Sequence, residues 1–214
     1  KQLETLSMRQ TQITNVNAIA NLTRLQRLVI HGNRLTDAWP LANLKELRQL
    51  NLSRNQLMDI SPLVGLTKLE SLELDHNNFT NLTSLAGMKE LRVLNLQNNQ
   101  IVDLKPLAGL TKLKELHLNN NKIVDLKPLT NMKELRSLYI GGNQITDLSP
   151  LVELVSLRDL SIINSSQLHF PEVARLQTAL PKTSIHHNAT QTEIQFINKT
   201  NEPIVIRWVD FGGE

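Results

Sequence analysis

The chain of 214 residues contains no cysteine, and only 3% of its residues are aromatic. Without cysteine there is no disulfide framework, no thiol nucleophile and no thiolate metal site. No apolar run approaches the ~20 residues that a helix needs to cross a bilayer, so we expect no membrane span. The charge is nearly balanced, with 23 basic and 20 acidic residues. Such a balance does not by itself indicate a nucleic-acid or membrane partner.

What the sequence does contain is a repeat of 22 residues. The unit LxxLxLxxN is seen in Leu113, Leu116, Leu118 and Asn121. A fixed period in this range predicts a solenoid, in which the leucines point inward from a short strand. The asparagine should satisfy backbone groups of the following turn, because a carboxamide both donates and accepts hydrogen bonds. The asparagines of this ladder are Asn33, Asn55, Asn77, Asn99, Asn121 and Asn143.

The second half of each repeat, of the form IxDLxPL, predicts a turn followed by a short helix. Proline suits the first turn of a helix but cannot donate to a strand ladder. An aspartate just before it can accept N–H bonds of the turn. The prolines are Pro40, Pro62, Pro106, Pro128 and Pro150, and the aspartates are Asp37, Asp59, Asp103, Asp125 and Asp147.

These motifs resemble the leucine-rich repeats, and the 22-residue form with DLxPL is similar to the internalins of bacterial surfaces and to repeats of a eukaryotic phosphatase regulator. The resemblance implies an α/β fold: a right-handed solenoid with a parallel β-sheet on the concave side and short helices on the convex side. Repeats start at residues 3, 25, 47, 69, 91, 113, 135 and 157. We assign residues 1–182 to this solenoid, with the last repeat acting as a cap. The resemblance favours a secreted or cell-surface protein, and a cytoplasmic one is the alternative.

No arrangement typical of an enzyme appears in the sequence. There is no glycine-rich phosphate loop, zinc-binding spacing or nucleophile motif. Glu73 and His117 share a column of the predicted sheet, but they lie two strands and about 10 Å apart, which is too far for a hydrogen bond. We therefore expect no catalytic residue, no metal and no cofactor.

Function is expected from the side chains between the strand leucines, which stand side by side on the concave face. This face is polar, and Tyr139 is its one aromatic residue of the kind that often anchors a protein interface. We predict a site for a protein partner, called here the concave site, formed by Glu73, Asp75, His76, Asn95, His117 and Tyr139. The alternative is a solvated sheet face without a partner.

A second feature is a row of basic residues at the start of the strands. This row, called here the basic edge, comprises Arg92, Lys114, Arg136 and Arg158. Strands lie ~4.8 Å apart, so the four charges should form a nearly continuous line that could hold an acidic partner or a phosphate backbone. Neighbouring glutamates and the lack of interleaved aromatics argue for a solvated, ion-paired edge instead. We do not expect nucleic acid to bind.

The repeat pattern changes at both ends. The first repeat is degenerate, with Met8 for a leucine and Thr11 at the ladder position. It therefore either continues a longer protein or shields the end of the core itself. After residue 170 the segment PEVARLQTAL predicts an amphipathic helix whose Val173 and Leu176 lie over the last repeat.

Residues 183–214 form a C-terminal segment of different composition, in which alternating apolar residues predict a β-hairpin. From about residue 190 the segment resembles the first strands of the von Hippel-Lindau β-domain, through Asn198, Trp208, Asp210, Phe211 and Gly212. That resemblance implies that Trp208 helps to wall a hydroxyproline peptide pocket; the alternative is core packing.

Two further functions thus stay open: weak self-association through the solenoid ends or these strands, and peptide recognition by a β-domain completed beyond residue 214.

Overall fold

The computed structural model describes residues 3–188 and the two strands Ile194–Ile197 and Pro203–Ile206. Within residues 3–188, nine strands of three residues form one parallel sheet in chain order. They are β1 (Thr5–Ser7), β2 (Arg27–Val29), β3 (Gln49–Asn51), β4 (Ser71–Glu73), β5 (Val93–Asn95), β6 (Glu115–His117), β7 (Ser137–Tyr139), β8 (Asp159–Ser161) and β9 (Ser184–His186). From β1 to β8 each residue pairs with the residue 22 positions later, which confirms the predicted solenoid.

Between the strands the chain returns through short 3-10 helices on the other side of the core. In the described part of the chain these span Asn17–Ile19, Trp39–Leu41, Ser61–Gly65, Thr83–Leu85, Lys105–Leu107, Lys127–Leu129 and Ser149–Leu151. All five predicted prolines lie in the first turn of such a helix. The aspartates accept the expected turn hydrogen bonds; Asp125 Oδ1, for example, accepts from the backbone N–H of Lys127 at 2.8 Å.

The core is a continuous stack of aliphatic side chains. The central leucine of each strand from β2 to β8 is almost fully buried, and in the sheet it lies beside the equivalent leucine of the next strand. Each repeat therefore buries its apolar residues against its neighbours and not within itself. Stability is then a sum over repeats and the contacts between them.

The predicted asparagine ladder is present and buried. Asn121 Nδ2 donates to the carbonyl oxygens of Leu96 and Leu118, each at 3.0 Å, and so ties its own repeat to the preceding one. Its Oδ1 accepts from the backbone N–H of Ile101 at 3.0 Å. The side chain thus satisfies donors and acceptors that the turn would otherwise bury without partners.

One position of the ladder lacks a hydrogen bond. Asn99 Oδ1 accepts none from any described residue, although Asn99 Nδ2 makes the usual bonds, including one to the Leu74 oxygen at 3.1 Å. By analogy with Ile101 and Asn121, the missing donor is the N–H of Phe79. Phe79 is fully buried and replaces the leucine or isoleucine of the other repeats. The bond is thus absent in the repeat whose core residue carries the larger ring.

The C-terminal end of the sheet is closed by the helix α1 (Phe170–Ala179). Val173 and Leu176 are buried, which matches the predicted apolar face. After α1, the strand β9 adds to the sheet with Ile185 beside Leu160. This strand lies beyond residue 182, and the division of the chain at that residue stays a prediction. No helix in the described part of the chain is long and apolar enough to cross a membrane.

The strands β10 (Ile194–Ile197) and β11 (Pro203–Ile206) form a separate antiparallel pair, in which Phe196 lies beside Ile204. This pairing confirms the two predicted C-terminal strands. Trp208 lies outside the described residues. The resemblance to the von Hippel-Lindau β-domain and its peptide pocket therefore stays a prediction.

We predict that the ladder asparagines differ in their contribution to stability. Asn121→Ala should lower the free energy of unfolding by roughly 3 kcal/mol, because it leaves buried backbone groups without partners. Asn99→Ala should cost about 1 kcal/mol less, since Asn99 makes one hydrogen bond fewer. Urea denaturation followed by circular dichroism measures both. Equal losses would show that the missing bond at Phe79 has no energetic consequence.

Candidate protein-binding face

The first part of the concave site is a group of polar side chains on and just after β3, β4 and β5. Alternate residues of a strand share a face, so Glu73 and Asp75 both point to the concave side. Asp75 is 7% exposed. It accepts hydrogen bonds from Ser53 Oγ and, at 3.2 Å, from Asn95 Nδ2, and its Oδ2 lies 2.9 Å from His76 Nδ1. The structure thus brings together four of the six predicted residues.

His76 is held from both sides of its ring. Nδ1 faces the carboxylate of Asp75, while Nε2 lies 3.2 Å from Asn98 Nδ2. Asn98 Oδ1 in turn accepts from Asn120 Nδ2 at 3.0 Å. The ring therefore has a fixed orientation before any partner arrives.

Glu73 is the member of this group whose ionised form is disfavoured. Its Oε2 accepts from Asn51 Nδ2 at 2.6 Å. Burial raises the pKa of the Glu73 carboxyl, and the charge of Asp75 raises it further, although His31 and His117 oppose this shift. The fold consequently stabilises the protonated form of Glu73 relative to the ionised form.

The second part of the concave site is a pair of stacked rings on β6 and β7. His117 and Tyr139 have ring centroids 4.5 Å apart and an interplanar angle of 16°. His117 Nε2 lies 2.7 Å from Glu115 Oε1, and the Tyr139 hydroxyl donates to Asp159 Oδ2 at 2.7 Å. Each ring is thus held at its polar edge by a carboxylate, and the stack stands as one unit.

The hydrogen bond to Asp159 raises the pKa of the Tyr139 hydroxyl, and burial and the Asp159 charge act in the same direction. Asp159 also has His186 beside it. His186 Nε2 lies 3.2 Å from Asp159 Oδ1, which is within ion-pair distance but without hydrogen-bond geometry.

The prediction of the concave site omitted Glu115 and Asp159, which hold the two rings. Glu115 could have been found from the sequence, because it lies two residues before His117 and so shares its face. Asp159 pairs diagonally with Tyr139 from the next strand, and such diagonal neighbours are also within reach of long side chains. Glu73 and His117 are not in contact, as the two-strand separation predicted, and they interact only through charge.

The structure places the basic edge at the beginning of the strands. Arg92 and Arg136 are exposed and Lys114 is half-buried. Arg158 differs, because its Nη1 donates to the backbone oxygens of Val155 and Leu157 at 3.2 and 3.1 Å. Among the described residues the other three make no such bond to the backbone, while the fourth folds back onto the chain.

The hollow found on the concave face of the described residues is small. This hollow, beside Glu73 and Arg27, holds about 80 Å³, well below the ~300 Å³ of ordinary ligand pockets. Two larger hollows, of about 410 and 360 Å³, lie against α1 and away from the concave site. In the described part of the chain no group of three or more metal-ligating side chains could hold a metal ion.

We predict an elevated pKa for Tyr139, which is the only tyrosine of the chain. The fold stabilises the protonated phenol, so this contribution to stability is complete below the unfolded pKa of about 10 and is lost as the pH rises through the higher folded pKa. The ultraviolet absorbance of tyrosinate measures the titration. Asp159→Asn should lower the pKa towards its ordinary value, whereas the exposed Glu153→Gln should leave it unchanged. Identical titrations of all three proteins would contradict the proposed role of Asp159.

The chain is similar to known leucine-rich repeat proteins. The family described as "Leucine Rich repeats (2 copies)" matches residues 45–87 and 89–131. None of the curated protein sequences compared with the chain matches it. Among solved structures, the plant peptide hormone receptor RGFR1 in complex with RGF2 is 27% identical, with a TM-score of 0.59, and the match covers 72% of this chain and 28% of the receptor.

Two internalins of Listeria monocytogenes are more similar. Internalin C2 is 35% identical with a TM-score of 0.82, and the match covers 86% of this chain and 80% of internalin C2. The internalin InlF is 34% identical with a TM-score of 0.66, over 85% of this chain and 60% of InlF. The identity, the coverage and the shared fold show that the chain belongs to the internalin family of leucine-rich repeat proteins.

Proposed function

We propose that this protein is a non-enzymatic scaffold that binds a protein partner through the concave site. The observation that carries the proposal is the stack of His117 and Tyr139, with its polar edges held by Glu115 and Asp159. Aromatic side chains are the usual anchors of protein interfaces. A ring that is already immobile loses little conformational entropy when a partner binds, so its contacts contribute more of their energy to affinity.

The two carboxylates on β4 and its following turn support the same proposal. Glu73 is half-buried, and it lies close enough to Asp75 for the charge of Asp75 to disfavour the ionised form of Glu73 as well. A neutral residue at position 73 would avoid this cost. Proteins commonly retain such costs at sites where function needs the charge. We infer that Glu73 contributes to binding by accepting hydrogen bonds from the partner.

The class of partner follows from the shape of the face and from the relatives. The face is an open polar sheet with a hollow of only about 80 Å³, which suits a polypeptide surface better than a small molecule. RGFR1, a peptide hormone receptor with the same fold, is described as a complex with RGF2. From this relative we carry over only the class of partner, a polypeptide.

We predict that Glu73→Gln raises stability at neutral pH. The raised pKa means that the favourable contribution of Glu73 is complete below its unfolded pKa of about 4.3 and is lost as the pH rises through the folded value. The stability advantage of Glu73→Gln over the natural protein should therefore be larger at pH 7 than at pH 4. Thermal unfolding at both pH values measures it.

The control for this measurement is Glu90→Gln. Glu90 is exposed and pairs with Lys112 Nζ at 2.8 Å, which lowers the pKa of the Glu90 carboxyl. Its replacement should leave stability unchanged or slightly lower at neutral pH. If both variants were stabilised equally, the effect would come from net charge and not from the site around Glu73.

We predict that a partner captured by the protein is lost when the concave site is altered. The concave variant combines Glu73→Gln, His117→Ala and Tyr139→Ala, and the convex control combines Val64→Ala, Lys105→Ala and Lys127→Ala. Each immobilised protein is exposed to the same cell extract, and captured proteins are quantified by mass spectrometry. A partner should bind the natural protein and the convex control. The captured amount of this partner should fall about tenfold or more with the concave variant, as expected for a hot spot.

Two results would contradict the proposal. One is a partner that is retained equally by the concave variant, provided that circular dichroism shows all proteins folded. The other is capture of no protein except this chain itself, with a solution mass that rises with concentration. The second result would favour self-association over partner binding.

A further inference from the structure

We propose that Arg92, Lys114 and Arg136 form a second docking surface, which receives an acidic segment of a protein. This surface lies at the edge of the sheet where the strands begin. It is separate from the concave site, so it extends the proposed function and is tested independently of it.

The proposal starts from the pattern of charges at this edge. In the first half of the sheet, opposite charges alternate between successive repeats and form ion pairs across them. Arg48 Nη1 pairs with Glu70 Oε1 at 2.5 Å. The residues three positions before the strands behave in the same way, because Lys68 Nζ lies 2.7 Å from Glu46 and Lys112 Nζ lies 2.8 Å from Glu90. Each cation of these pairs is neutralised by the neighbouring repeat.

In this column Arg48, Glu70 and Arg92 alternate in sign, and the alternation ends there. Arg92 is followed by Lys114 and Arg136, so three successive residues of the column are positive. Like charges side by side repel one another and are destabilising. Among the residues that the structure describes, no ion pair is formed by any of the three, in contrast to Arg48, Lys68 and Lys112. The molecule therefore has a line of cations that its own described residues do not neutralise.

The carboxylates nearest to this line in the sequence do not neutralise it. Glu115 follows Lys114 directly, but its Oε1 is 2.7 Å from His117 Nε2. Glu90 is bound by Lys112, although the charge of Arg92 also lowers the pKa of its carboxyl. Glu134 precedes Arg136 by two residues and is exposed, and within the described chain it forms no ion pair. Dissolved counter-ions balance this row in the free protein, and an acidic partner would replace them.

The three cations have a fixed spacing, because their backbones are joined directly. The N–H of Lys114 donates to the Arg92 oxygen at 2.8 Å, and the N–H of Arg136 donates to the Lys114 oxygen at 2.8 Å. Neighbouring strands lie ~4.8 Å apart, so the row is ~10 Å long, which is the length of about three extended residues. The row is thus long enough for about three residues of an extended acidic segment that crosses the strands, of which alternate side chains would face the cations.

The chemistry of the row favours a protein segment over a nucleic acid. Single-stranded nucleic acids are usually held by a basic groove with aromatic side chains on which bases stack. No aromatic residue occupies this column, which runs from Gln26 through Arg48 and Glu70 to Arg158. Guanidinium groups also bind carboxylates in bidentate geometry, which suits Arg92 and Arg136.

The test uses a fluorescent peptide with four consecutive glutamates flanked by glycine and serine, and follows its binding to the whole chain by fluorescence anisotropy. The site variant combines Arg92→Gln, Lys114→Gln and Arg136→Gln. The matched control combines Arg48→Gln, Lys68→Gln and Lys112→Gln, which removes the same charge from the same edge but only at ion-paired positions. A labelled oligothymidine strand is the second probe. Circular dichroism checks the fold of each protein.

We expect the peptide to bind at low ionic strength and to dissociate as salt is added, because exposed charges are screened. The site variant should weaken binding on the order of tenfold, and the control by no more than about twofold. Equal weakening by both variants would overturn the proposal, since attraction would then depend on net charge alone. Absence of peptide binding to the natural protein would also overturn it. Tighter binding of oligothymidine, lost in the site variant, would assign the row to a phosphate backbone instead.

Discussion

The hydrogen bonds of the buried asparagine in six successive repeats hold this fold together. A strand of three residues followed by a tight turn cannot pair all of its own backbone groups. Asn121 and its equivalents supply the missing donors and acceptors, and they connect each repeat to the one before it. Because the carboxamide must reach the same backbone atoms every time, an insertion or deletion within a repeat would break the connection. The constant interval of 22 residues follows from this constraint.

The constant interval also organises the surface. Equivalent residues of successive repeats lie in columns about one strand spacing apart, so a residue type that recurs in the sequence becomes a line on the molecule. The stack of His117 on Tyr139 comes from one such column, and the row from Arg92 to Arg136 comes from another. Both proposed surfaces therefore depend on the ladder beneath them, although no ladder asparagine takes part in either.

Departures from the repeat have different consequences inside and outside the core. Phe79 lies inside, where the larger side chain coincides with the absence of a ladder hydrogen bond to Asn99 Oδ1. Lys114 lies outside, where the loss of charge alternation costs little packing but leaves a row without neutralising partners. The core tolerates few such changes because its packing is shared between neighbours. The outer columns tolerate many, and binding properties can therefore change there while the fold stays the same.

The sequence by itself determined the solenoid, its register and the positions of its short helices, because a strictly periodic pattern of leucine, asparagine and proline has one consistent packing. It also placed most residues of the proposed concave site on one face of the sheet, since alternate strand residues share a face. Only the tertiary structure decided which side chains hold one another. Asp159 meets Tyr139 through a diagonal contact between strands, and Arg158 turns back to the backbone and leaves the basic edge. Such contacts depend on side-chain rotamers, which periodicity does not determine.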